Sequence, residues 1–109
     1  MKNCIFCKIR DQEIPVKFIY EDEDVMVFPD INPIKKVHLL VVPKKHLSDF
    51  LELEDDHILS KIRKATQRMI KQHKLENAGF RLVINGGGAQ VIDHLHFHLT
   101  GPWGKAAAL

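Results

Sequence analysis

One six-residue segment constrains the fold of this chain more than any other. Residues 94–99 read His-Leu-His-Phe-His-Leu, a strict alternation of imidazole and apolar side chains. A period of two is that of a β-strand, in which successive side chains point to opposite faces of the sheet. The segment therefore predicts a strand that buries Leu95, Phe97 and Leu99 in the core and presents three imidazoles on its other face.

Three neighbouring imidazoles on one face indicate a polar site that uses them. An unpaired imidazole is costly to bury, and its charge changes near neutral pH. A half-exposed strand with a purely structural role and a metal site are the alternatives. Alternate positions from 94 to 98 span about 13 Å along a strand, so we do not expect all three rings to bind one ion.

The remaining periodicities predict an α+β domain. Because strands run consecutively before and after one long helix, a five-stranded antiparallel sheet with one long and one short helix is favoured over a doubly wound sheet. The predicted elements are a short helix at 4–10, a hairpin formed by 18–21 and 25–28, a strand at 37–42, a helix from about 54 to 73 that stops at 77–79, and strands at 80–84 and 95–100.

Length and composition predict one domain over residues 1–103. The tail at 104–109 ends in Ala-Ala-Ala-Leu, which resembles a cloning remnant, and we set it apart from the fold. The 16 basic and 14 acidic side chains are interspersed, so no strong field favours nucleic acid or a membrane surface. The longest apolar stretch is too short to span a bilayer, and no secretory signal is recognisable, which predicts a cytoplasmic protein.

The two cysteines form a Cys4-x-x-Cys7 pair. This spacing is common among zinc ligands, and two imidazoles would complete a tetrahedral Cys2His2 site. Free thiols and a redox pair are the alternatives. A redox pair normally opens a helix that follows a strand, and that pattern is absent here.

Five blocks in order resemble the histidine-triad (HIT) family, and in particular its Hint-like branch. The family signature alternates three histidines with hydrophobic residues and ends on two hydrophobic positions, the second of which is Thr100 in this chain. The similarity covers about residues 3–101, through the blocks Cys4-Ile5-Phe6-Cys7-Lys8-Ile9, Glu13-Ile14-Pro15, Phe28-Pro29-Asp30-Ile31-Asn32-Pro33, the stretch from His38 to His46, and His94 to Thr100.

The resemblance implies a HIT-like α+β fold, a homodimer whose two sheets join, and cleavage at the α-phosphorus of a purine nucleotide or nucleotide conjugate. By motif, His96 would be the nucleophile, His38 and His98 would donate to phosphoryl oxygens, and Asp30 would bind the ribose. The apolar base pocket would comprise Ile5, Phe6, Ile9, Phe28 and Ile31. The phosphate loop would include Asn85, Ala89 and Gln90, and the groups equivalent to Cys4, Cys7, His46 and His94 would hold a structural zinc ion.

The chemistry is reasonable from the residues themselves. A neutral imidazole is both a usable nucleophile and a good leaving group near pH 7. Charge on the reacting phosphoryl group needs hydrogen-bond donors, which imidazole N–H groups and the amides of residues 86–88 could supply. The glycine-rich loop is not a P-loop, because no Gly-Lys-Ser/Thr sequence follows it.

Two features depart from the family pattern. Many Hint-like members carry Ser or Thr where this chain has Val91, and that hydroxyl is thought to protonate the leaving group. We therefore expect slow turnover of substrates with poor leaving groups. Trp103 is expected either to close the leaving-group side of the pocket or to pack on a partner subunit or the surface. Residues 80–84 and the long helix are the expected dimer contacts.

The sequence thus predicts a hydrolase of nucleoside phosphoramidates or related nucleoside monophosphate derivatives, acting through a nucleotidyl-histidine intermediate. A dinucleoside polyphosphate hydrolase is the alternative enzyme. A zinc-containing nucleotide-binding module with little catalysis, and a zinc-handling protein, are the alternatives from other classes.

Overall fold

A computed structural model describes residues 3–105 and 108–109, so positions 1, 2, 106 and 107 of the predicted domain and tail lie outside the described residues. The predicted α+β fold, with five antiparallel strands and two α-helices, is confirmed. A 3-10 helix at Phe50–Glu52 was not predicted. The regular elements are α1 (Ile5–Arg10), β1 (Tyr20–Glu21), β2 (Val25–Pro29), β3 (Val37–Pro43), α2 (Asp56–Gln72), β4 (Arg81–Ile84) and β5 (Phe97–Gly101).

The sheet has the strand order β1-β2-β3-β5-β4, and every neighbouring pair is antiparallel. In the centre of the sheet, His38 on β3 lies opposite Thr100 on β5, and Leu40 lies opposite His98. Directly opposed residues share a face of an antiparallel sheet. The register therefore places His38 and His98 on the same face.

The two faces of the sheet support separate apolar clusters. One face packs against α2, and its cluster includes Leu95, Phe97 and Leu99 together with Ile62 and Met69 of the helix. The other face packs against α1; its buried cluster comprises Cys4, Phe6, Cys7, Ile9, Met26, Phe28, Leu40 and Val42. The predicted alternation is thus confirmed for the core side of the histidine segment.

The histidine segment is less regular than predicted, because β5 begins at Phe97 and not at residue 95. His94 lies in a bend, and residues 95 and 96 precede the strand. The backbone N–H of Leu95 donates to the carbonyl of Leu47 at 2.6 Å, outside the regular β3–β5 ladder. Because of this bond to a loop, His94 and His96 lie before the strand and only His98 lies within it. The side chains of His94 and His96 are nevertheless buried.

Helix α2 occupies residues 56–72, within the predicted range of about 54 to 73. Asp55 is the N-cap, and its carboxylate accepts a hydrogen bond from the N–H of His57. At the other end Lys74 has φ 57°, the N–H of Leu75 donates to the carbonyl of Ile70, and that of Lys74 donates to Lys71. These bonds form a Schellman motif. The helix therefore stops at His73 and not at the predicted segment 77–79, because a lysine, and not a glycine, adopts the left-handed conformation.

Gly79 has a different role, at the point where the chain returns after β5. It has φ 84°, and a Cβ there would lie 2.2 Å from the carbonyl oxygen of Gly104. Trp103 and Gly104 donate backbone hydrogen bonds to the carbonyls of Gly79 and Ala78 at 2.8 Å.

Among the described residues, no helix combines the length and apolar character that crossing a membrane requires.

Candidate active site and metal centre

The catalytic candidates lie on the α1 side of the sheet. His96 is 7% exposed, and its ring is 5.0 Å from that of Phe6 and 4.9 Å from that of His98. His98 is more accessible, with a side chain that is 22% exposed. His38 follows across the β3–β5 pair, with Nε2 at 3.0 Å from Nδ1 of His98. The fold thus brings together three histidines from two segments about sixty residues apart.

Backbone contacts fix the proton position on His96. Its Nδ1 lies 2.7 Å from the carbonyl oxygen of His94. A carbonyl oxygen can only accept, so Nδ1 must carry the proton and donate it to this bond. The neutral ring then has its lone pair on Nε2, which is the atom that a nucleophilic imidazole uses. The same carbonyl stabilises the positive charge that the ring would gain on attack.

A separate series of hydrogen bonds orients His38 and His98. The backbone N–H of Ile34 donates to Nδ1 of His38 at 3.1 Å, so a neutral His38 carries its proton on Nε2. That N–H faces Nδ1 of His98, at 3.0 Å, and Oδ2 of Asp30, at 3.3 Å. When His98 accepts this bond, its own proton resides on Nε2. His98 then has an N–H available for a phosphoryl oxygen.

The electrostatics keep His98 neutral. Burial lowers the pKa of His98 below its usual value of 6.5, and the neighbouring His96 and His38 lower it further, while Asp30 acts in the opposite direction. A neutral ring at physiological pH matches the tautomer that the hydrogen bonds specify. Asp30, His38 and His98 also lie close enough to ligate a metal. Coordination by Nε2 of His38 would require a proton on Nδ1, which faces the Ile34 N–H, so this trio fits a hydrogen-bonded relay better.

The predicted base-pocket residues fall into two groups. Phe6, Ile9 and Phe28 are buried, and the rings of Phe6 and Phe28 meet edge-on with centroids 5.6 Å apart. Ile5 and Ile31 are exposed, Ile31 by 91%. The structure thus places the ring of Phe6 between those of Phe28 and His96, in edge-on contact with both, and leaves Ile5 and Ile31 at the surface.

The predicted phosphate loop is held by side chains of its own chain. The N–H of Gly87 donates to Oδ2 of Asp49 at 3.0 Å, and that of Gly88 donates to Oε1 of Gln90 at 3.1 Å. The Gln90 amide also donates to the carbonyl of Ser48. Asn85 and Ala89 are exposed. Two of the amides expected to face phosphate therefore donate to side chains of the same chain. The sequence did not predict the role of Asp49, because its partner Gly87 lies 38 positions away.

The four predicted metal ligands converge on one point. Cys4, Cys7, His46 and His94 offer donor atoms that all lie within 4.8 Å of one another. Nδ1 of His94 is 3.2 Å from Sγ of Cys4 and 3.2 Å from Nδ1 of His46, and Sγ of Cys7 is 3.3 Å from Nδ1 of His46. A tetrahedral ion with ordinary zinc bond lengths would separate such atoms by roughly 3.3–3.8 Å. The spacing therefore fits zinc.

Hydrogen bonds around His94 favour this role. Its Nε2 lies 2.7 Å from the carbonyl of Pro43, so Nε2 carries the proton and the lone pair of Nδ1 points at the cysteines. Burial, as the largest effect, lowers the pKa of His94 to about 4, so the ring is neutral at pH 7. Burial and the adjacent Cys4 raise the pKa of the Cys7 thiol. A divalent metal reverses that preference, because its charge stabilises the thiolate.

The remaining histidines lie outside both groups. His57, on the first turn of α2, pairs with Asp24 at 3.2 Å and has a side chain that is 69% exposed. His73 caps the C-terminal end of α2, where Nδ1 donates to the carbonyl of Met69 at 3.0 Å.

Val91 is 98% exposed at the rim of a 410 Å³ cavity that Cys4, His46 and Ser48 also line.

The sequence and the fold match one family throughout. The family model described as "Scavenger mRNA decapping enzyme C-term binding" matches residues 3–108. An uncharacterized HIT-like protein of Methanocaldococcus jannaschii is 46% identical over 98 residues, covering 88% of this chain and 76% of that protein. The chain belongs to the histidine-triad family.

Solved HIT structures agree with this assignment. A HIT family hydrolase from Clostridium thermocellum superposes with a TM-score of 0.88 at 37% identity, covering 99% of each chain. A histidine triad nucleotide-binding protein from Candida albicans has a TM-score of 0.82 at 37% identity, covering 89% of this chain and 73% of that protein. The chain is thus a HIT protein with the fold of solved hydrolases and nucleotide-binding proteins.

Proposed function

We propose that this HIT protein is a Hint-like nucleotidyl hydrolase that cleaves nucleoside phosphoramidates, or related nucleoside monophosphate derivatives, at the α-phosphorus. One observation carries the proposal. The 2.7 Å contact between Nδ1 of His96 and the His94 carbonyl leaves Nε2 as the free nucleophilic atom of the ring. An imidazole held in the other tautomer would present a proton to phosphorus and could not attack it.

In the proposed reaction, Nε2 of His96 attacks the α-phosphorus and forms a P–N bond. The bond from phosphorus to the leaving group breaks, and the leaving group departs with the electron pair and takes a proton from solvent water, because Val91 has none to donate. A water molecule then attacks the same phosphorus and gives a proton to solvent, the P–N bond breaks with its electron pair returning to Nε2 of His96, and a nucleoside monophosphate is released. His98 would donate its Nε2–H to a phosphoryl oxygen in both steps, oriented by His38.

The nucleotide is positioned by groups on the same face of the sheet. The edge-on pair of Phe6 and Phe28, 5.6 Å apart, would form the inner wall of a base pocket, with Ile9 behind them. Ile5 and Ile31 would border it. Asp30 would bind ribose hydroxyls, and Asn85, Ala89 and Gln90 would contact phosphate after the internal bonds of the loop exchange.

The cofactor of the proposed enzyme is a structural zinc ion held by Cys4, Cys7, His46 and His94. Its role would be to tie α1 to the segment that precedes β5. Thiolate ligands require a reducing compartment, which supports a cytoplasmic location. No organic cofactor, nucleic acid or membrane enters the proposal, and residues 1–103 would suffice for activity without the tail at 104–109.

We propose a homodimer as the working form. Strand β4 is at an edge of the sheet, where Phe80, Leu82 and Val83 are each more than 40% exposed. An edge strand with apolar side chains is a template for pairing with a second chain. A second copy that adds its own β4 would join the two sheets and cover these side chains.

The decisive experiment traps the intermediate. The protein is incubated with an adenosine phosphoramidate, quenched without acid, and digested for mass spectrometry. One adenylyl unit is expected on the peptide that contains His96, absent in His96→Ala and retained in His57→Ala, a control on the exposed start of α2. An adduct that persists in His96→Ala, or tight nucleotide binding with neither adduct nor product, would reject the proposed enzyme.

A further inference from the structure

Trp103 lies on the same face of the sheet as the catalytic candidates. Its indole Nε1–H donates to Oγ1 of Thr100 at 2.8 Å. Thr100 is two residues beyond His98 on β5 and lies opposite His38 on β3, so all three side chains share one face. Two strand residues extend roughly 7 Å. The indole ring therefore lies just beyond His98, next to the reaction centre.

Two cations cover this indole ring. Nζ of Lys35 is 4.2 Å from the ring centroid, and Cζ of Arg81 is 4.0 Å from it. Both distances are within the range of a cation–π contact. Within residues 3–105 and 108–109, neither cation forms an ion pair with a carboxylate. Two positive charges thus border one indole ring with no carboxylate of the described residues to neutralise them, so an anion bound beside the ring would be attracted by both.

The guanidinium of Arg81 keeps donors for such an anion. One of its nitrogens donates to the carbonyl oxygen of Ala108. A guanidinium has five N–H donors in a planar fork, so this bond leaves most of them for an oxyanion. Arg81 lies opposite Thr100 in the β4–β5 pair, which places its side chain on the face that carries His98.

The two cations lie on the opposite side of the reaction centre from the proposed base pocket. Phe28 is on β2, which is separated from β5 by β3, whereas Arg81 is on β4, at the far side of β5. A nucleotide with its base against Phe6 and Phe28 and its phosphorus at His96 would extend its leaving group toward β4. The cations therefore lie on the leaving-group side of the phosphorus, away from the base.

We infer that Lys35, Arg81 and Trp103 form an anion subsite that selects leaving groups bearing a carboxylate or a phosphate. The inference rests on the proposed function and specifies its substrate class. Trp103 holds the two cations in place, and they bind the oxyanion of the leaving group while its bond to the α-phosphorus breaks. Sequence reasoning placed Trp103 near this side but did not find the cations, which are 46 positions apart.

The test compares three adenosine substrates whose leaving groups differ in charge. One is a phosphoramidate of a neutral amine, one is a phosphoramidate of an amino acid with a free carboxylate, and one is a dinucleoside tetraphosphate. We expect Lys35→Gln and Arg81→Gln each to lower kcat/KM for an anionic substrate about fivefold, as for a partly exposed ion pair. Hydrolysis of the neutral substrate should change less than about twofold, which also shows that each variant folds.

Lys64→Gln is the matched control, since it removes an exposed cation from α2, on the opposite face of the sheet, and should affect no substrate. A loss confined to the carboxylate or to the tetraphosphate supports the subsite and identifies its ligand. An equal loss for all three substrates, or no loss for either anion, would overturn the subsite while leaving the proposed function intact. If the wild-type protein hydrolyses none of the three, the proposed function fails, and the subsite fails with it.

Discussion

Asp22 is a carboxylate on which the stability of the β1–β2 hairpin and its contact with α2 depend. The hydroxyl of Tyr20 donates to Oδ2 at 2.7 Å, and the backbone N–H groups of Asp24 and Val25 donate to Oδ1 at 2.8 and 2.9 Å. Nζ of Lys61, on α2, lies 3.3 Å from Oδ2. The side chain is only 19% exposed, so water screens these contacts weakly.

The pKa of Asp22 gives the size of this contribution. Burial alone would raise the pKa, but the hydrogen bonds from Tyr20, Asp24 and Val25, together with Lys61, lower it from 3.8 to about 2. One pKa unit corresponds to about 1.4 kcal/mol, so ionised Asp22 contributes about 2 kcal/mol to the free energy of unfolding. Because the folded pKa is the lower one, this contribution is complete above the unfolded pKa and is lost as the pH falls through about 2.

The assay is urea unfolding of Asp22→Asn, followed by far-ultraviolet circular dichroism at a series of pH values. The variant keeps an oxygen for the two backbone bonds but loses the charge, so it should lose about 2 kcal/mol near pH 7 and approach the wild-type stability near pH 2. Asp24→Asn is the control, because its partner His57 is largely exposed, and it should change stability by less than about 0.5 kcal/mol. A loss of equal size at all pH values, or equal losses in both variants, would refute this reasoning.

Three further predictions concern the proposed function. Cys4→Ser should reduce bound zinc from about one ion per chain to well below one, as measured by elemental analysis of the purified protein. Substoichiometric zinc that is the same in the wild-type protein and the variant would contradict the metal hypothesis. Val91→Ser should speed hydrolysis of substrates with poor leaving groups more than of those with good ones, and an unchanged rate and leaving-group dependence would count against a missing hydroxyl. Val83→Lys should convert a dimer to a monomer in sedimentation, because a charge on the edge strand opposes pairing; a wild-type mass near 12.6 kDa would contradict the dimer itself.

The order and type of the elements could be predicted from the sequence because they depend on local patterns. The periodicity of α2 and the alternation from Leu95 to Leu99 are readable in any stretch of a few residues. The exact boundaries were not predictable in the same way. The strand β5 starts two residues later than expected because the Leu95 amide bonds to Leu47, a partner 48 positions away.

The sequence by itself determined which side chains alternate and which two cysteines are adjacent, because both depend on spacing within one segment. Only the tertiary structure decided which groups meet: Cys4 reaches His94 across 90 positions, and His38 reaches His98 across 60. Only the fold brings Lys35 and Arg81 to the same indole ring. These long-range contacts follow from sheet register and loop packing. Both depend on the whole chain, so no periodic pattern within one segment predicts them.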